Sequence, residues 1–343
     1  MAKIELAKPV YSVLPEHDIF KIHSKQSKAK KIALNIISTF IFPMGIARII
    51  RYGIGKLTGK VILPAQINCK KQELDQVRRT GLNLIKMHDL KADRLTIKTA
   101  DQVQLDTLKI LNPNQNKSPD NQKWIVLFCP QFMPYEKLIP FATKLSLDTG
   151  VNIYLGNFRG FGYSKGAPSC AKDLVLDGEA MIQYLHSHEK IPYSNIFVQG
   201  WSVTGAVATE VVARHQQKNE ELKLCNDRSF SSLFKEIKCF LPSAGIICAS
   251  MAYLIGWKFN SINSWNSISD KNKMILYQKE DDNIPYKASL YKAAKNSENR
   301  TARPKYKPQN AIEIESKCNL MLTLENYEGY KDYLNLMKKL FLQ

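Results

Sequence analysis

The run Gly200-Trp201-Ser202-Val203-Thr204-Gly205 sets a serine among small residues. It follows the apolar stretch Ile196–Gln199 and precedes a helical stretch from Val203 to about His215. A serine on a tight strand-to-helix turn can attack an acyl carbon. The turn pushes its hydroxyl outward, and the helix N-terminus favours the negative charge that develops. Here Thr204, not glycine, stands two residues after the serine, and Gly205 comes one later. A β-branched residue at that place predicts a crowded turn. The same residues also fit a serine that only N-caps the helix.

The elements that must carry this serine follow from the hydropathy pattern. Residues 70–92 read as a short charged helix, and Leu95–Lys98 with Val103–Leu111 as a hairpin turning at Ala100-Asp101-Gln102. Asn112–Gln122 is a polar loop. Trp124–Cys129 is a continuous apolar run, as expected of a strand buried on both faces. Next come helix 135–147, strand Val151–Leu155, helix Asp173–Ser187 and strand Ile196–Gln199. Leu222–Cys225, Met274–Tyr277 and Leu320–Leu324 supply further strands. Regular alternation predicts an α/β fold with a mostly parallel sheet and helices on both faces. Residues from about 229 to 270 are a long insertion, read as a cap over the sheet's C-terminal edge.

Directly after strand Val151–Leu155 stands Asn157-Phe-Arg159-Gly160-Phe-Gly162-Tyr-Ser-Lys-Gly166. Glycines here supply turn conformations that other residues resist. With the Ser202 turn, this segment resembles the α/β-hydrolase superfamily, in which an Arg-Gly-x-Gly-x-Ser loop follows the fourth strand. The resemblance implies a loop braced by Arg159. It implies a triad acid after the seventh strand, where Lys279-Glu-Asp-Asp-Asn-Ile-Pro285 matches at Asp281, with Asp282 and Glu280 as competitors and a plain solvated acidic loop as the bland reading. It also implies an oxyanion hole built from the backbone N–H of Val203 and one from Gln131 or Phe132; Pro130 has no N–H to give. Finer matches lie at Asn226–Leu233, Pro130–Glu136 and Gly59–Pro64. They are similar to a group of bacterial proteins that includes a chlamydial 43-kDa-type family and the SidB-like secreted effectors of Legionella. That likeness implies a bacterial cytoplasmic origin, then host cytosol or a host membrane surface.

The superfamily order is serine, acid, histidine, and the histidine should follow Leu320–Leu324. Glu325-Asn326-Tyr327-Glu328 stand there, and no histidine occurs after His215. His215 lies thirteen residues along the helix from Ser202, roughly 20 Å at ~1.5 Å per residue. His186 and His188 end a helix that feeds the next strand, so they belong to the opposite sheet edge. Glu325 is the available replacement base, but an ordinary carboxylate is a weak one. Loss of a triad member typically costs about 10⁴-fold in rate. Two expectations therefore stand: a serine esterase or lipase acting on a small acyl or lipid ester, and a catalytically silent hydrolase fold that binds a partner.

Forty-nine Lys and Arg against 31 acids give a net charge of +18. Residues 1–60 hold eleven of the basic residues and three acids, so the excess is concentrated. No nucleic-acid module accompanies it, and no nucleic-acid partner is expected. Residues 1–64 form a basic, apolar N-terminal extension preceding an α/β-hydrolase-like domain over 65–343. Within it, Ile32–Ala47 is uncharged, flanked by basic residues, too short to span a bilayer and interrupted by Pro43. It reads either as an interfacial segment on anionic membrane or as a helix packed on the core. The seven cysteines are scattered and odd in number, so a zinc site and a full disulfide framework are unexpected. No metal or cofactor is implied, and residues 1–20 lack the apolar stretch of a secretory leader.

Overall fold

The computed structural model describes residues 32, 42–64, 71–115, 118–241, 243–298, 310–314 and 327–342. Its centre is an eight-stranded sheet. The strands are β1 (Lys91–Lys98), β2 (Gln104–Leu111), β3 (Trp124–Phe128), β4 (Asn152–Gly156), β5 (Ile196–Trp201), β6 (Lys223–Asp227), β7 (Lys273–Tyr277) and β8 (Ala311–Glu313). Their order is β1-β2-β4-β3-β5-β6-β7-β8. The pairs from β4 through β8 are parallel, while β1 and β2 form an antiparallel edge.

The central strands are apolar on both faces because both faces are covered. Along β3, Trp124, Val126 and Phe128 enter one core, and Ile125 and Leu127 enter the other. The first core receives helices α4 (Ala171–Gln183) and α5 (Ser202–Gln216), through residues such as Leu174, Met181, Val207 and Val211. The second receives α2 (Lys71–Met87), α3 (Tyr135–Thr149) and α10 (Tyr327–Met337), through Ile85, Leu138, Ala142 and Tyr333. This two-faced, mostly parallel arrangement is the α/β architecture expected from the alternation.

Between β6 and β7 lie helices α6 (Leu233–Phe240), α7 (Gly245–Ile255) and α8 (Ser261–Ser267). Helix α9 (Leu290–Glu298) follows β7. Near the N-terminus, α1 spans Phe42–Ile62. Pro43 stands in the first turn of α1, where its missing N–H has no intrahelical partner to lose. The helix thus runs through Arg48, Arg51 and Lys56, which the hydropathy pattern treats as a flank. Gly55 and Gly59 bring it against the chain at Pro168 and Ser169, and Trp257 Nε1 donates to Gly55 O at 3.1 Å.

Two elements differ from expectation. The helix expected over 70–92 stops at Met87, and Lys91 already pairs with Leu111 in β1. The strand beside β7 is Ala311–Glu313, three residues with no apolar run to announce it. The strand expected at Leu320–Leu324 lies outside the described residues, as does Glu325.

Candidate active site

The carboxyl ends of β3, β4, β5, β6 and β7 lie along one edge of the sheet, where open α/β sheets carry their ligands. From that edge emerge Pro130–Phe132, the glycine loop 157–166, Ser202, Asp227–Arg228 and the Asp281 loop.

Ser202 is the first residue of α5 and has φ +52°. A left-handed conformation is costly for a residue with a Cβ and needs tight surroundings to hold it. Gly200 and Gly205 provide them. A Cβ on Gly200 would sit 2.3 Å from Thr204 O, and one on Gly205 would sit 2.9 Å from Gly200 O. Thr204 resolves the crowding expected of it by turning into the sheet. Its Oγ1 lies 2.9 Å from the carbonyl oxygens of both Phe128 and Trp201, so it can donate to either, and it accepts the Trp201 N–H at 3.1 Å. The β-branched side chain therefore ties β5 to β3 beneath the turn.

Ser202 Oγ is buried and makes no hydrogen bond among the described residues. It borders a cavity of about 30 Å³ shared with Gln131, Phe132, Asp227, Arg228 and Asp281. That volume holds a water molecule or two, not a substrate. The Val203 N–H points at Gln131 Oε1, 3.4 Å away. An oxyanion would have to displace this long contact to use that donor.

Among the three clustered acids, Glu280 and Asp282 are exposed and Asp281 faces the cavity. Asp281 Oδ1 accepts the N–H groups of Asn283 at 2.8 Å and Ile284 at 3.0 Å, which fixes the carboxylate. Asp227 and Arg228 also face Ser202 across the cavity, although the sequence pattern did not single them out for chemistry. The available signal was an adjacent acid and base, Asp227-Arg228, at the carboxyl end of a strand. Arg228 Nε donates to Asp227 Oδ1 at 2.7 Å, and Arg228 has φ +45°. Burial raises the Asp227 pKa, with Arg228 opposing it and the Asp281 charge reinforcing it. Glu236 on α6 completes the acidic group: burial, then the Asp281 charge, push its carboxyl up to about 8.

Arg159 stands beside this cavity's supporting loop, not in the cavity. It bonds Asp177 through Nε at 2.8 Å and Asp101 through its terminal nitrogens at 2.8 and 3.0 Å. Burial works against the guanidinium charge, but the Asp177 and Asp101 carboxylates outweigh it and raise the pKa. The Arg159 N–H also donates to Asp177 Oδ2 at 2.8 Å. The loop is thereby tied to α4 and to the β1–β2 turn. Gly160 and Gly162 take φ +84° and +49° within it.

None of the four described histidines reaches this edge. His215 is buried between Glu179, 2.9 Å from Nε2, and Glu220, 2.5 Å from Nδ1, at the far end of α5. His186 bonds Ile191 O and His188 stacks on Tyr184, both in the segment leading to the start of β5. His88 precedes Lys91, whose partner Leu111 lies at the opposite edge through the β2–β4 register. His17 and His23 lie outside the described residues. Among the described residues, no three His, Cys, Asp or Glu side chains gather to hold a metal ion.

No family model matches the chain. Over 172 residues it is 28% identical to protein bem46 of Schizosaccharomyces pombe, covering 50% of this chain and 56% of that protein. The chain spans about half the length of the curated relatives it matches. An α/β-hydrolase of Vibrio vulnificus superposes with a TM-score of 0.59 at 17% identity, over 82% of this chain and 92% of that one. An esterase of Pyrococcus furiosus superposes with a TM-score of 0.53 at 18% identity, over 74% and 92%. Strand order, the left-handed serine at the β5–α5 turn and these likenesses agree that the protein has the fold of the α/β-hydrolase superfamily.

Proposed function

We propose that the protein is an esterase-type serine hydrolase of slow turnover, in which Ser202 accepts the acyl group of a small acyl or lipid ester. The observation that supports this most is Ser202 itself: a strained, left-handed serine whose hydroxyl has no hydrogen bond among the described residues and faces a carboxylate-lined cavity. A structural N-cap needs neither the strain nor the cavity. Asp281 and Asp227 supply negative charge beside the nucleophile. Asp227, raised by burial, is a better proton acceptor than a solvated carboxylate. Without an imidazole the rate stays far below that of a complete triad, by about 10⁴-fold. Arg228 and the start of α5 face the charge that develops on the acyl oxygen.

A second reading is a catalytically silent fold that binds a partner. It is favoured by Gln131 Oε1 on the Val203 N–H and by the lack of histidine at this edge among the described residues. The likeness to secreted bacterial effectors adds the proposal that the protein acts in a host, in the cytosol or at a membrane surface. Hydrolysis of p-nitrophenyl acetate and butyrate separates the two readings. Slow turnover that disappears in Ser202→Ala supports the esterase. Wild-type and Ser202→Ala rates equal to buffer, with both proteins folded, support the silent fold.

A further inference from the structure

Seventeen large apolar side chains are exposed among the described residues; thirteen of them lie on α1, α6 and α7, and a fourteenth, Leu241, directly follows α6. Scattered exposed apolar residues need no explanation, but such a concentration marks a surface that meets something. On α1, Ile50, Leu57 and Val61 are 53%, 63% and 80% exposed; on α7, Ile247, Met251 and Leu254 are 66%, 54% and 71% exposed. The two elements form one surface. Gly55 of α1 accepts Trp257 Nε1 just beyond α7, and Arg51 Nε donates to Ile255 O at 3.2 Å.

The charges on these helices point to the occupant. Helices α1 and α6 carry six lysines and arginines between them, and α7 carries no charge. The one acid, Glu236, is turned inward and buried. An apolar face whose own helices expose only cations fits the interface of an anionic bilayer, where apolar groups enter the acyl boundary and cations meet phosphate and carboxylate headgroups. No described helix is long and apolar enough to cross a membrane, so the fit is to a surface.

We propose that α1, α6 and α7 form one docking face for an anionic lipid bilayer, with the exposed residues of α7 entering the acyl boundary. The face unites the N-terminal helix with the insertion that leaves the carboxyl end of β6, beside Ser202. It does not depend on the activity of that serine.

The test uses the full chain and sucrose-loaded vesicles of phosphatidylcholine, with and without phosphatidylserine. The expected result is sedimentation with the anionic vesicles, about tenfold or more above the neutral ones, and weakening as salt is raised. Ile247→Asp/Leu254→Asp should lower anionic binding by about tenfold or more while leaving the melting temperature unchanged. Both positions are exposed, and Ile247→Trp gives an independent reading. Its emission should shift to the blue and be quenched by brominated lipid when anionic vesicles are added. Failure to sediment, equal binding to neutral vesicles, or an aspartate variant that binds like wild type would overturn the proposal. So would a dimer in light scattering that the aspartate variant dissolves while vesicles bind neither protein.

Discussion

Glu236 offers a sharp test of the electrostatics around the site. It is buried on α6, its Oε2 has no hydrogen bond among the described residues, and its pKa is pushed up to about 8 from 4.5 by burial and then by the Asp281 charge. A carboxyl with a raised folded pKa favours the fold only while protonated. Its contribution is complete below about pH 4.5 and is lost as pH rises toward about 8. At ~1.4 kcal/mol per pH unit the loss between about pH 5 and pH 7.5 is at most about 3 kcal/mol. Glu236→Gln keeps the shape of the protonated acid and cannot ionise. In equilibrium urea unfolding it should match wild type within ~1 kcal/mol near pH 5 and exceed it by about 2–3 kcal/mol near pH 7.5. A gain independent of pH, or one larger at pH 5, would show that Glu236 is not held protonated by burial.

Two further outcomes follow from the site. Arg159→Ala strands the buried Asp177 carboxylate and should cost about 3–5 kcal/mol by the same unfolding measurement, with Arg159→Lys restoring only part of it because the two-sided fork is lost. Gln131→Ala frees the Val203 N–H from a contact at the long end of hydrogen bonding; since such a bond is worth about 0.5–1 kcal/mol, fluorophosphonate should label Ser202 about two- to fivefold faster. An unchanged or slower rate would show that this N–H does not serve the reaction.

The sheet was legible because its physics is local. Trp124–Phe128 is apolar without interruption and Ile196–Val198 opens the neighbouring strand in the same way, and only strands covered on both faces tolerate that. The serine turn was legible because Gly200 and Gly205 bracket it between such a strand and a helix. Other features depend on tertiary contact. Three residues suffice for β8 because β7 supplies its partner, so no hydropathy run marks it. Thr204 looks like an intruder until its hydroxyl is seen bridging two strands. Asp227 and Arg228 read as an ordinary charged pair, and only the sheet order aims them at Ser202. Pro43 suggests a broken helix, but its position relative to the helix start decides the outcome, and that start is not written in the apolar run. The lack of a histidine after His215, by contrast, is plain in the sequence alone.

The central claim is that Ser202 is a nucleophile despite that lack. Intact-protein mass spectrometry after fluorophosphonate treatment tests it most directly, run on wild type and on Ser202→Ala with matched circular dichroism. A nucleophilic Ser202 gives one slow adduct on the wild type, mapped to that residue by peptide sequencing, and none on the variant. A folded wild-type protein that stays unmodified, or an adduct that persists in Ser202→Ala, would contradict it.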